Sequence, residues 1–193
     1  MISLAAADRS LVRDLLKRDR LGIDYLETTA HLAAGAAEAF PDLPLLLHNS
    51  VWDWSLGHPE ALAQRNVVPL TLRALKRTRA AWLSVHLGFA AAEVEHDGGM
   101  RAMTAPLGRE ELFANVCRNA RALAAAIPVP FLLENLDYNP TGAYEHVCEP
   151  DFVAAVVEET GSGLLLDLAH ARVSAARLGY AVEQFERIHT LHE

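Results

Sequence analysis

Five residues of this chain share one context: each is an imidazole or a carboxylate that closes a short apolar run. His48 ends Leu-Leu-Leu-His, His86 ends Trp-Leu-Ser-Val-His, Glu134 ends Phe-Leu-Leu-Glu, Asp167 ends Leu-Leu-Leu-Asp and His189 ends Arg-Ile-His. Successive members are 38, 48, 33 and 22 residues apart. Imidazoles and carboxylates that converge on one bowl are the donors of a metal site. A nitrogen and oxygen set without thiolate suits iron, manganese or zinc. Electrostatics points the same way. Two ionised carboxylates among apolar neighbours are costly when unpaired, and divalent cations would offset that cost while keeping the imidazoles neutral and ligating. Glu134 and Asp167 are then the candidate catalytic carboxylates, each able to bridge two ions. The candidate outer ligands are His170, three residues after Asp167, then Glu27, Asn135, Glu149 and His192. Their roles would be to orient an imidazole or to fill a coordination position.

One such histidine alone reads as an ordinary hydrogen-bonded residue; five matched positions point to metal. His31, His58, His96 and His146 fall in helical or loop stretches and read as solvated. Trp52 and Trp54 pack under a loop or line a pocket, Arg73 to Arg79 reads as a solvated helix face, and Cys117 reads as core.

The elements that must position these groups are strands alternating with helices. Strand candidates are Ile2 to Ala5, Asp24 to Thr28, Leu45 to Asn49, Trp82 to Leu87, Phe131 to Leu136, Leu164 to Leu168 and Arg187 to Leu191. Several are uninterrupted apolar runs, as strands covered on both faces of a parallel sheet should be. Helical spacing marks Asp8 to Arg18, Ala30 to Phe40, Pro59 to Arg79, Arg109 to Ala126 and Pro150 to Thr160. Pro150 suits a first helical position, and Gly161 to Gly163 stops that helix. Repeated right-handed βαβ units without a glycine-rich phosphate fingerprint predict an α/β fold of the TIM (β/α)8 type. Such a barrel takes about 250 residues, so residues 1–193 are expected to form a single barrel domain that lacks its last βα unit. The five polar run-ends then meet at the carboxyl face, where this architecture keeps its active sites.

Composition narrows the function classes. The chain of 193 residues is 51% hydrophobic and 22% charged, with a formal charge of −8. That composition fits a folded domain with its own core, and the acidic balance argues against a broad basic face for nucleic acid. No run reaches the roughly 18 to 20 apolar residues of a membrane helix, so the expected location is the cytoplasm. Cys117 and Cys148 lie 31 residues apart, in neither a zinc-ribbon nor a redox spacing.

The same segments resemble a known family. Leu47-His48, Ser84-Val85-His86-Leu87-Gly88-Phe89, Leu132-Leu133-Glu134-Asn135, Glu149-Pro150-Asp151-Phe152, Leu165-Leu166-Asp167-Leu168 with Val173-Ser174-Ala175, and Ile188-His189 look like the successive signatures of the DUF692 proteins. These multinuclear non-heme iron-dependent oxidases are xylose-isomerase-like TIM barrels. The resemblance implies two or three iron ions that activate dioxygen to oxidise a residue, often cysteine, of a ribosomally made precursor peptide. A partner protein commonly presents that peptide. Position by position, it implies that His48 and His86 bind one iron, that Glu134 bridges, and that Asp167 and His189 serve the neighbouring iron. Ala169-His170 stands where the family usually has Asn-Asn, so His170 would replace an amide ligand. The family's later Asp-x-His pair and final-strand glutamate would fall beyond Glu193. Other readings of the same residues are a divalent-metal sugar isomerase or epimerase with Glu134 as ligand or proton-transfer base, a metal hydrolase, and a non-catalytic scaffold.

Overall fold

The computed structural model describes residues 3–48, 54–96 and 98–188. Its strands and helices run in the order β1 (Ala5–Ala7), α1 (Ser10–Lys17), β2 (Tyr25–Thr28), α2 (Ala33–Ala39), β3 (Leu45–His48), α3 (Val67–Thr78), β4 (Trp82–His86), β5 (Val94–His96), β6 (Met100–Ala102), α4 (Arg109–Ala126), β7 (Phe131–Glu134), α5 (Pro150–Thr160), β8 (Gly163–Leu165), α6 (Leu168–Leu178) and α7 (Glu183–Ile188). Six strands form one parallel sheet in the order β1-β2-β3-β4-β7-β8. This is an incomplete α/β barrel of the TIM type, as the alternation predicts.

Parallel pairing places paired residues on the same face, and side chains alternate along each strand. One face therefore carries Leu26, Leu45, Leu47, Leu83, Val85 and Leu133. All are buried in one core with Leu112, Val116 and Leu123 of α4 and Phe152, Val153, Val156 and Val157 of α5. The other parity carries Tyr25 and Glu27, Leu46 and His48, Trp82, Ser84 and His86, Leu132 and Glu134, and Leu165. The registers fix this: Glu27 pairs with Leu46, His48 with Ser84, His86 with Glu134, and Glu134 with Leu165. On this inner wall Tyr25 stacks on Trp82, with centroids 5.0 Å apart, at the amino end, and the polar residues gather at the carboxyl end.

Helix boundaries follow local chemistry. Pro150 opens α5, and Gly161 at φ 66° closes it, as expected from the sequence. Asp167 caps α6 by accepting the His170 backbone N–H. That cap ends the expected Leu164 to Leu168 strand early, at Leu165, and starts a helix that the apolar run disguised. The first strand lies at Ala5–Ala7 instead of Ile2 to Ala5, because the ladder continues to Asp8, whose N–H donates to Glu27 at 2.7 Å. The expected seventh strand, Arg187 to Leu191, is corrected where it is described: residues 187–188 end the helix Glu183–Ile188. Phe185 and Ile188, three apart, are buried on one face of that helix, and Phe185 packs on the Tyr180 ring at 5.8 Å. Helical spacing therefore outweighs the strand-like alternation of the run. The Pro59 to Arg79 helix divides into a 3-10 segment, Ala61–Asn66, and α3. The hairpin β5–β6 has no counterpart in the sequence reading.

Candidate metal centre

At the carboxyl end of the inner wall, β3, β4 and β7 deliver His48, His86 and Glu134, and the turn into α6 delivers Asp167 and His170. Two groups of potential donors result, His48–His86–Glu134 and Glu134–Asp167–His170; within each, the donor atoms lie within 4.8 Å of one another. Glu134 belongs to both. His48 Nδ1 lies 3.2 Å from Glu134 Oε2, while His86 Nε2 and His170 Nδ1 lie 3.6 and 3.4 Å from Oε1. His170 Nδ1 is also 3.7 Å from Asp167 Oδ2. The His48 and His86 rings meet edge to face at 4.7 Å.

Burial divides the centre into a closed floor and an open rim. His48 and Glu134 are buried, whereas the side chains of His86, His170 and Asp167 keep about a third of their surface in solvent. Burial, reinforced by His86, pushes the His48 imidazole down to about 4, so this ring is neutral at pH 7. Burial alone would raise the Glu134 carboxyl, but hydrogen bonding by His86 and the nearby imidazoles outweighs it, and the group stays below its ordinary value. Glu27 responds the other way: burial, then the charges of Glu134 and Asp167, push it up to about 7.

Two smaller contacts set the floor. Ser84, fully buried, meets His48 Nδ1 at 3.0 Å. Sequence reasoning missed this role, although the signal was present: Ser84 stands two residues before His86 and shares its face. Glu134 Oε2 is buried and, among the described residues, has no hydrogen-bond partner. His48 Nδ1 is near it but is directed to Ser84.

The five expected site residues thus divide. His48, His86, Glu134 and Asp167 come together, and His170 joins them. His189 lies outside the described residues, as do Trp52 and His192. Glu27 faces the cluster electrostatically, and Asn135 supports it. Glu149 does not join: it pairs with Arg109 and with His146, 3.0 Å away, at the start of α5. Among the other histidines, His58 accepts the Glu60 N–H at 2.9 Å in an exposed loop. Trp54 is packed, its Nε1–H donating to Ala61 at 2.7 Å, and Cys117 is core.

A family model described as the RiPP precursor modification enzyme MbnB/TglH/ChrH matches residues 21–192. The chain belongs to this family. RiPP denotes a ribosomally synthesised and post-translationally modified peptide, and this precursor-modification family is the one that the DUF692-like motifs resemble. Among its curated relatives, the UPF0276 protein of Paraburkholderia phytofirmans is 39% identical over 71 residues, which are 37% of this chain and 23% of that protein. The UPF0276 protein of an Anaeromyxobacter species is 29% identical over 140 residues, 72% of this chain and 47% of that one. The chain therefore spans half or less of the length of these relatives. In fold it is similar to 3-keto-D-glucoside 4-epimerase from E. coli, with a TM-score of 0.62 and 13% identity over 97% of this chain and 76% of that one. That likeness to a TIM-barrel enzyme concerns the fold alone. None of the described helices is long and apolar enough to cross a membrane.

Proposed function

We propose that this member of the precursor-modification family belongs to a metal-dependent oxidase that modifies a residue, often cysteine, of a ribosomally made peptide. In this reading His48, His86 and the shared Glu134 would hold one iron ion, Glu134, Asp167 and His170 would hold another, and His189 would add a further donor. The observation that carries it is the shared, buried Glu134: among the described residues its Oε2 has no hydrogen-bond partner, while Oε2 faces His48 and Oε1 faces His86 and His170. An ionised carboxylate left unsatisfied in a buried floor is costly, and a bound cation removes that cost. The donor set also fits. A neutral His48 needs no deprotonation to ligate, and imidazole with carboxylate suits iron as well as zinc or manganese.

Bound iron would supply one-electron redox chemistry with dioxygen. The chain's own residues do the rest. Ser84 and the buried floor keep His48 oriented, and Glu27, near neutrality at pH 7, can hold or release a proton beside Glu134. The exposed sides of His86, Asp167 and His170 face the solvent where a peptide side chain can enter. Two free, buried cysteines fit a reducing cytoplasm. A partner protein that presents the peptide belongs to the same proposal. The sugar-epimerase alternative is supported by fold likeness only.

The test is metal analysis of protein purified without chelator, together with dioxygen uptake on a cysteine-containing precursor peptide. Two or three irons per chain with uptake are expected. Zinc or manganese alone with no uptake overturns the oxidase, and unchanged metal content in His48→Ala and Glu134→Ala overturns the ligand set.

A further inference from the structure

Asn135 follows Glu134 directly and is fully buried. The β7–β8 ladder ends where Glu134 pairs with Leu165. The Asn135 side chain takes over the pairing. Its Oδ1 accepts the Asp167 N–H at 2.8 Å, and its Nδ2 donates to the Asp167 carbonyl at 3.0 Å. A primary amide offers a donor and an acceptor side by side, much as a peptide group does, so one side chain replaces the next strand residue. The backbone carbonyl of Asn135 is engaged as well, 2.9 Å from His170 Nδ1. A carbonyl oxygen only accepts, so Nδ1, the ring nitrogen that also faces Glu134 and Asp167, carries a hydrogen in this arrangement, and Nε2 is the nitrogen left to ligate an ion. Asp167 Oδ1 completes the circuit by accepting the His170 N–H at 2.8 Å.

We propose that Asn135 is the positioning residue of the Asp167–His170 half of the site, fixing the backbone of one donor and the tautomer of the other. The inference rests on the metal reading above and adds to it that the two halves are separable: none of these contacts involves His48 or His86. The neighbouring segment supplies a control. Buried Ser174 donates to the Leu136 carbonyl at 3.0 Å and accepts the Tyr138 N–H at 2.8 Å, tying the same loop to α6 without contacting any donor.

The experiment is anaerobic equilibrium dialysis of the chain against iron(II), paired with ring-nitrogen NMR of the chelator-treated chain. For the starting chain, two ions and a His170 Nδ1–H signal are expected. Asn135→Ala should keep one ion at unchanged affinity and weaken the other about 10- to 100-fold. Its His170 signal should average over both tautomers. Asn135→Asp keeps the shape but has no donor for the Asp167 carbonyl, and should behave like Asn135→Ala. Ser174→Ala should lower the melting temperature while keeping both ions. Both ions held at full affinity in the Asn135 variants, or both weakened alike there and in Ser174→Ala, overturn the inference. A starting chain that takes up no iron(II) overturns the metal reading instead, and the His170 signal then still decides whether Asn135 sets that ring.

Discussion

His48 and Glu134 face each other from β3 and β7 with 3.2 Å between Nδ1 and Oε2, yet among the described residues that oxygen accepts no hydrogen bond. The imidazole is neutral, held down by burial, and its Nδ1 is turned to Ser84. The other carboxylate oxygen, Oε1, faces His86 and His170, whose imidazoles help hold the Glu134 carboxyl below its ordinary value.

Removing the Glu134 charge should weaken binding and stability together. We predict that Glu134→Gln loses both ions and, in chelator at pH 7, melts below the unsubstituted chain, because the imidazoles that hold the carboxyl below its ordinary value favour its ionised form. Metal analysis and thermal melts check this; an unchanged or higher melting temperature in chelator counts against it.

Glu27 predicts a pH slope. Its folded value of about 7 lies above the 4.5 of an ordinary carboxyl, so the folded chain binds the extra proton in that window. Its contribution to stability is fully present below about 4.5 and is lost as pH rises through 7. The total is about 3 kcal/mol. Relative to Glu27→Gln, the metal-free chain should lose stability across this range in urea melts. His48 has the opposite sign: its value falls from 6.5 to about 4, so relative to His48→Gln the chain should gain stability from pH 4 to 6.5.

Adding iron(II), manganese(II) or zinc(II) to chelator-treated protein should raise the melting temperature. At a hundredfold excess over the dissociation constant, one ion contributes about 2.7 kcal/mol, or roughly 5 to 10 °C for a chain of this size. Scanning calorimetry at pH 6 and 8 checks it. The shift should be larger at pH 8, where more carboxylate is ionised.

Gly88 follows β4 at φ 103°, and a Cβ there would stand 2.5 Å from Ser55 Oγ and 2.6 Å from the Leu56 nitrogen. Gly88→Ala should cost about 2–4 kcal/mol by strain and overlap. Because His86 lies two residues upstream, metal affinity should fall as well; urea melts and dialysis measure the two effects.

The carboxyl-end position of the donors is legible because apolar runs that close in an imidazole or a carboxylate recur, which brings His48, His86 and Glu134 to one end of a barrel. Their shared face is not, because uninterrupted runs such as Leu45-Leu46-Leu47 distinguish neither side of the sheet; the register does. Asp167 was legible as a donor but not as a cap: Leu164-Leu165-Leu166 looks like strand to its end, and only the bond from His170 N–H marks a helix beginning. The hairpin of Val94–His96 and Met100–Ala102 is too short for periodicity to register. It is fixed by distant groups, such as the Thr141 carbonyl that accepts from Ala102 at 3.2 Å. The run at 187–188 ends a helix because Phe185 and Ile188, three residues apart, share a buried face, and that spacing begins before the expected strand.

The alternation of the inner wall also makes metal retention a form of proofreading. A strand that slipped by one residue would turn its imidazole or carboxylate toward the helix-covered core and an alkyl group toward the bowl. Misregistered chains would thus bury a charge and forfeit their ion together, so a chelate column would sort correctly assembled molecules from their near-isomers.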